Sequence, residues 1–378
     1  VTNEEMEQLT SLHWHGLRVP IDQDGPSEVM NKGDEADFAF TLNMTGTHWY
    51  HPHQRPILPQ LNTGLYAPFI VKEDYDSEYA GDYVLTLDDW TLDSSNKIDL
   101  ESSMGSDVIG NLETVNKRSG NDIYPITLKQ GEIVKLRFIN ASTAQTHTIS
   151  LTGHSFRITH LDGHKLLEPY TVQSIRIAPG ERYDAELKGI KSSGTYYIRN
   201  TRSYGMRIPV IYEGVGEDMT SPFIPGESEA FPGLEGKAPD KIYTLSSNST
   251  HWTINDKAYI DDAPTKDIDI FNAELNKVYI FRFDNVDPGR MMSTRYHPMH
   301  LHGGHFQVIS INGEKPPREM WKDTLEIPPN EYIDVAVKFY YPGDWMLHCH
   351  IIDHEDGGML TMVHVPDPSG TPLPEHHM

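Results

Sequence analysis

Near the C-terminal end, the apolar lead-in Trp345-Met346-Leu347 runs into His348-Cys349-His350, and no other stretch of the chain limits the possible folds so tightly. The lead-in reads as a strand, along which successive side chains point to opposite faces. Cys349 therefore faces one way and the two flanking histidines face the other. His354 follows five residues after the cysteine, and Met359 five residues after that. Thiolate, imidazole and a weak axial thioether are the ligand set of a blue-copper site, which asks for one more histidine from elsewhere in the chain. His348 and His350 then face a second metal site, joined to the first through a few backbone bonds. A lone cysteine is more often a small buried hydrophobe, but three further histidine clusters here supply the missing ligands.

These clusters are His13-Trp14-His15-Gly16, His51-Pro52-His53 and His297-Pro298-Met299-His300-Leu301-His302-Gly303. In an extended chain, i and i+2 share a face with their Cα atoms roughly 6.5 to 7 Å apart, a separation that suits two adjacent metals at least as well as one. His300 and His302 share a parity that His297 lacks. His297 therefore joins Cys349, His354 and Met359, which leaves eight histidines in four pairs. Eight imidazoles are what three copper ions need if two have three ligands each and one has two.

The rest of the chain reads as short strands. Asp37 to Leu42, Ile133 to Ile139, Ser174 to Ile177, Thr195 to Ile198, Lys277 to Phe283, Phe306 to Ile311 and Tyr332 to Phe339 are rich in Val, Ile, Phe and Tyr, with Gly, Pro, Asn and Asp between them. Such spacing without long amphipathic helical patterns predicts sandwiches. An acidic seam near Glu73 to Gly81 and a Gly- and Pro-bearing stretch from Gly214 to Asp240 divide the chain. The expected sections are 1–75, 80–213 and 241–367, with 214–240 as a linker able to cross a domain face and 368–378 as a tail.

With a length of 378 residues, two or three cores are possible. A formal charge of −24 argues against nucleic acid and anionic membranes as partners and favours metal ions and neutral or cationic small molecules. One cysteine permits no intrachain disulfide, so cysteine usage is silent about the redox compartment. No apolar run approaches the roughly twenty residues of a membrane span. The opening on Val1, without a charged and apolar leader, fits a processed or truncated product rather than a retained signal peptide.

The four motifs, in this order and at these spacings, resemble those of the multicopper oxidases: laccases, cuprous oxidases and their relatives. The resemblance spans nearly the whole chain. It implies an all-β fold of tandem cupredoxin-like Greek-key sandwiches binding four copper ions: one type 1, one type 2 and two type 3. By resemblance, His297, Cys349, His354 and axial Met359 hold type 1 copper, and His13 and His300 hold type 2. His15, His51 and His350 would hold one type 3 ion, and His53, His302 and His348 the other. The implied activity is laccase-like: O₂ is reduced to water at the expense of phenols and aromatic amines, with single electrons entering through an exposed ring edge of His297 or His354. Oxidation of Cu(I) is the alternative, kept open by Met291, Met292 and Met299 near His297, and a coat or copper-storage protein is a further one. Secretion to the cell envelope or outside the cell is implied as well.

Family members carry a substantial stretch of first domain before the His-Trp-His-Gly motif, which this chain reaches at position 13. The N-terminal strands are thus expected to be removed, supplied by a partner chain or fragment, or genuinely reduced. Asp24, before Gly25-Pro26, could simply initiate a turn, but in the family an acid here lies near type 2 copper. Glu355, next to His354, matches a glutamate that passes protons to bound oxygen in some bacterial members. His147, His154, His160 and His164 have no cysteine or methionine at copper spacing and read as structural or surface residues. His48 has the opposite parity to His51 and His53 and is left out of the ligand set, and His305 reads as a residue that supports the ligands from outside or packs, rather than as a ligand.

Overall fold

The computed structural model describes residues 1–4, 6–103, 108–203, 205–260, 268–287 and 296–373. Apolar residues at alternate positions of short strands can be buried only by pairing two sheet faces, and this happens twice along the chain. Residues 81–215 form a six-stranded and a five-stranded sheet, and residues 241–365 form a second such pair. Each pair mixes antiparallel ladders with two parallel ones. In the first pair Gly81–Trp90 runs parallel to Ile133–Asn140, and Arg207–Val215 to Ile126–Gln130. In the second, Lys241–Ser247 runs parallel to Val278–Asn285, and Phe271–Asn272 to Leu360–Val365. Each sandwich has its own core, around Phe138, Phe156 and Leu187 in the middle one and around Phe281, Phe283 and Trp345 in the last. The first section contributes one three-stranded antiparallel sheet of Leu12–His15, Gly46–Pro52 and Ala67–Val71.

The three sections meet over a shared apolar cluster. Trp49, Ile57, Leu58, Leu61 and Tyr66 of the first section pack on Ile139 and Ala141 of the middle sandwich and on Ile352 of the last. The acidic seam is not a solvated connector. Its short helical turn Asp74–Glu78 buries Asp76 against Lys135 Nζ at 2.8 Å and Arg137 Nη2 at 2.7 Å. The long linker crosses to the last sandwich by laying Phe223 against His160 and Phe231 against Trp321.

Six of the seven expected strands are present, with ends shifted by up to two residues. Residues 37–42 are the exception. They find no ladder partner, and Phe38 and Phe40 instead set their rings edge-on to Trp14, at 5.3 and 5.7 Å. Aromatic contact has replaced strand pairing there.

Candidate metal centres

Strand Leu12–His15 buries His13 and His15 on one face and turns Trp14 to the aromatic face of Phe38, Phe40, Tyr50 and Phe69. Its register sets His13 opposite His51. In the last sandwich His300 lies opposite His348, and Met299 opposite Cys349. Alternation along Gly343–Cys349 thus separates the thiol from His348 as the sequence predicts.

On the thiol side, Cys349 Sγ is 3.4 Å from His354 Nδ1 and 3.7 Å from His297 Nδ1. Met359 is fully buried next to them, and its carbonyl accepts the Cys349 amide at 3.1 Å. The expected exposed ring edge is absent: His297 and His354 are both 0 % exposed. The Trp252 ring stacks on His354 at 3.6 Å, and Asp287 Oδ2 lies 3.3 Å from His297 Nε2. Met291 and Met292 lie outside the described residues, and Met299 is wholly buried in the core.

On the other side, eight buried histidines converge. His13 Nε2 faces His300 Nε2 at 3.3 Å, His302 Nε2 faces His348 Nε2 at 3.2 Å, His53 Nε2 faces His348 Nε2 at 3.4 Å, and His15 Nδ1 faces His51 Nε2 at 3.3 Å. The outward nitrogens meet oxygen acceptors. His300 Nδ1 donates to the Asp323 carbonyl at 2.9 Å, His51 Nδ1 to the Pro52 carbonyl at 3.0 Å, and His302 Nδ1 to Asp24 Oδ2 at 2.7 Å. A neutral imidazole that donates outward has only a lone pair facing inward. Lone pairs facing each other at such distances repel unless a cation lies between them, so the donor set fits metal ions.

His350 completes the group differently. Its ring lies 5.0 Å from that of His15 and 5.2 Å from that of His51, and neither of its nitrogens has a hydrogen-bond partner. Donor atoms of His53, His302 and His348 lie within 4.8 Å of one another, as do those of His13, His300 and His302 and those of His13, His15 and His51. Burial first, then neighbouring positive groups, push His15, His51, His53, His300 and His350 far below the ordinary histidine range. This favours the neutral, metal-ligating form.

Both expected carboxylates are buried beside the cluster. Burial alone would raise Asp24, but His13 and His302 outweigh it and hold the carboxyl well below its usual range. Glu355 is 0 % exposed, with Oε2 3.0 Å from His348 Nδ1 and Oε1 3.6 Å from His53 Nε2, so it is no surface charge. His305 donates Nε2 to the Asp162 carbonyl at 2.7 Å, and His48 is buried without a place among the facing nitrogens. Asp323, Thr324, Arg182, Trp252 and Asp287 were not expected, since nothing adjacent in sequence marks them.

Family models described as multicopper oxidase match residues 1–76, 81–211 and 234–369. The chain belongs to the multicopper oxidase family. It is 30% identical over 378 residues to the multicopper oxidase mco of Staphylococcus epidermidis, covering 95% of this chain and 77% of that protein. The laccase of Trametes hirsuta is 26% identical, with 99% of this chain and 83% of that protein covered. The crystal structure of a multi-copper oxidase from Pediococcus acidilactici superposes with a TM-score of 0.84 at 25% identity, covering 99% of this chain and 80% of that one. This multicopper oxidase is thus a copper oxidoreductase that uses O₂, built of cupredoxin-like sandwiches. Among the described residues no helix is long and apolar enough to cross a membrane.

Proposed function

We propose that this multicopper oxidase is laccase-like, coupling one-electron oxidation of phenols and aromatic amines to four-electron reduction of O₂. In this reading residues 1–75, 80–213 and 241–367 are its domains, the middle one without copper, and its place is the cell envelope or the exterior. His297, Cys349, His354 and Met359 would hold type 1 copper; His13 and His300 would hold type 2. His15, His51 and His350 would hold one type 3 ion, and His53, His302 and His348 the other. When bound, the copper ions accept single electrons at the thiolate site and deliver four of them to O₂ at the cluster, giving two waters.

The observation that carries this reading is the one strand serving both centres. Cys349 Sγ lies 3.4 Å from His354, while the preceding residue, His348, lies 3.2 Å from His302. A few covalent bonds therefore separate electron entry from the oxygen end. Trp252, itself buried, stacks 3.6 Å from His354, so a reductant does not touch that ring directly and electrons must pass through the protein that covers it. Glu355 and Asp24 sit where protons must arrive for water to leave, Glu355 against His348 and His53 and Asp24 against His302.

Steady-state oxygen consumption by copper-loaded protein with a phenol, Cu(I) and Fe(II) tests the substrate class. A phenol rate above both metal rates is expected. Cu(I) as the far better substrate would move the reading to a cuprous oxidase, and no turnover with any of the three to a storage or coat protein.

A further inference from the structure

Arg182, on strand Arg182–Lys188 of the middle sandwich, is fully buried at the junction of all three sections. Its five guanidinium N–H groups have five acceptors. Nη1 and Nη2 donate to Asp323 Oδ1 and Oδ2 at 2.6 and 2.7 Å, in the bidentate geometry that suits a carboxylate. Nη2 also donates to the Asp162 carbonyl at 2.9 Å, Nη1 to that of Gly180 at 3.3 Å and Nε to that of Thr47 at 3.1 Å. Asp162 closes the loop, its Oδ2 accepting the amides of Asp323 and Thr324 at 3.2 Å each. The fit leaves no spare room: a Cβ on Gly16, at φ +84°, would lie 2.1 Å from Arg182 Nη2.

The clamped carboxylate reaches the cluster histidines. Asp323 Oδ1 is 3.1 Å from His15 Nε2, and Thr324 Oγ1, itself 2.9 Å from Asp323 Oδ1, is 3.0 Å from the same nitrogen. The Asp323 carbonyl accepts His300 Nδ1 at 2.9 Å. A carboxylate only accepts, so the His15 proton sits on Nε2 and the lone pair on Nδ1. His15 is thereby turned opposite to His13, His51, His53, His300, His302 and His348, each of which faces a neighbouring ring through Nε2.

We propose that Asp323, clamped by Arg182, is a positioning residue of the histidine cluster that fixes the His15 tautomer and the His300 orientation, so that cluster occupancy depends on the sandwich contributing no copper ligand. The inference rests on the copper assignment above and adds to it a role for the middle sandwich. Groups that orient metal ligands from outside are worth about 10- to 100-fold in metal affinity.

Asp323→Asn and Arg182→Lys, each copper-loaded and then titrated with a copper chelator, test it. The blue thiolate band reports type 1 copper, and the type 2 paramagnetic resonance signal together with total copper reports the cluster. Both variants should lose cluster copper at about 10- to 100-fold lower chelator concentration than the parent while the blue band keeps the parent midpoint. A merely structural loosening would move both midpoints together and overturn the proposal, as would parent-like cluster retention. If Asp323→Asn does not yield folded protein, Arg182→Lys, which keeps the charge but loses the bidentate grip, decides alone. A parent that never turns blue would refute the copper assignment instead.

Discussion

The two sandwiches place the same strands around the same spot and fill it in opposite ways. In the last, Cys349 lies opposite Met299, two residues after His297. In the middle, Asn200 lies opposite Ile149, two residues after His147. The following strand continues the match, since His348 pairs with Leu360 and Arg199 with Arg207, which sets Met359 beside Cys349 and Met206 beside Asn200. At the centre of the last pocket, donor atoms of Cys349, His297 and His354 converge. At the centre of the middle pocket sits a carboxylate. Glu113 Oε1 accepts Asn200 Nδ2 at 2.7 Å and Gln145 Nε2 at 3.0 Å and lies 3.6 Å from His147 Nδ1, while Oε2 accepts the Met206 amide at 2.7 Å. The fold fixes where a site can be, and the matching position carries a thiol among imidazoles in one pocket and an amide against a carboxylate in the other.

The largest effect should come from erasing that difference. Cys349→Ser removes the thiolate while keeping the last sandwich, so the copper-loaded variant should be colourless and should oxidise no substrate. Visible absorption and oxygen consumption check this. A blue serine variant would refute the type 1 assignment.

Beyond the thiol pocket, the same strand leads to a carboxylate, Glu355 Oε2 lying 3.0 Å from His348 Nδ1. Glu355→Gln keeps the shape of the side chain and removes its titratable group. O₂ reduction should slow by about 10²- to 10⁴-fold, the span of a lost general acid, while the blue colour and its first bleaching by substrate hardly change. Stopped-flow reduction and reoxidation separate the two. Normal reoxidation would shift the proton role to Asp24.

The convergence of the histidines was legible in the sequence because strand alternation converts spacing into facing, and both His13-Trp14-His15 and His348-Cys349-His350 obey it. Glu355 and Asp24 were legible only through resemblance. Asp323 and Arg182 were not legible at all: they lie 141 positions apart, and an arginine at a strand start looks like any solvated one. The burial of His297 and His354 was missed for a related reason, since Trp252 arrives from a different strand of the last sandwich. Residues 37–42 misled because alternating Phe38 and Phe40 mimic a strand while serving as a lid on Trp14.

Glu113→Gln addresses the protein anion. Burial alone would raise this carboxyl, but hydrogen bonds from His147, Ser203 and Asn200 outweigh it and bring it from 4.5 to about 2. A carboxyl depressed on folding contributes stability above its unfolded value and loses that contribution as pH falls toward the folded one. The variant should therefore be less stable at pH 7 by about 1.5 to 3 kcal/mol, the worth of hydrogen bonds to a charged group. The deficit should shrink between pH 4.5 and about 2, as read by denaturant unfolding across pH. Its blue colour should match the parent. A deficit independent of pH would mean that packing, not charge, holds the middle pocket.

The finest test uses the paired methionines. Met359 and Met206 occupy matching places, both nearly or fully buried beside the residue that decides the pocket. Leucine is close to methionine in volume, so either substitution should cost less than about 1.5 kcal/mol. Only one should be felt electronically. Under the proposed assignment Met359→Leu would remove a weak donor that stabilises the oxidised ion, so the type 1 potential should rise while the blue band persists. Met206→Leu should leave that potential unchanged, because the Glu113 carboxylate, not the thiolate, stands beside Met206. Redox titration of the blue band in both variants gives the answer: equal potentials would remove Met359 from the axial position, and a shift in Met206→Leu would show that the two pockets are coupled rather than merely alike.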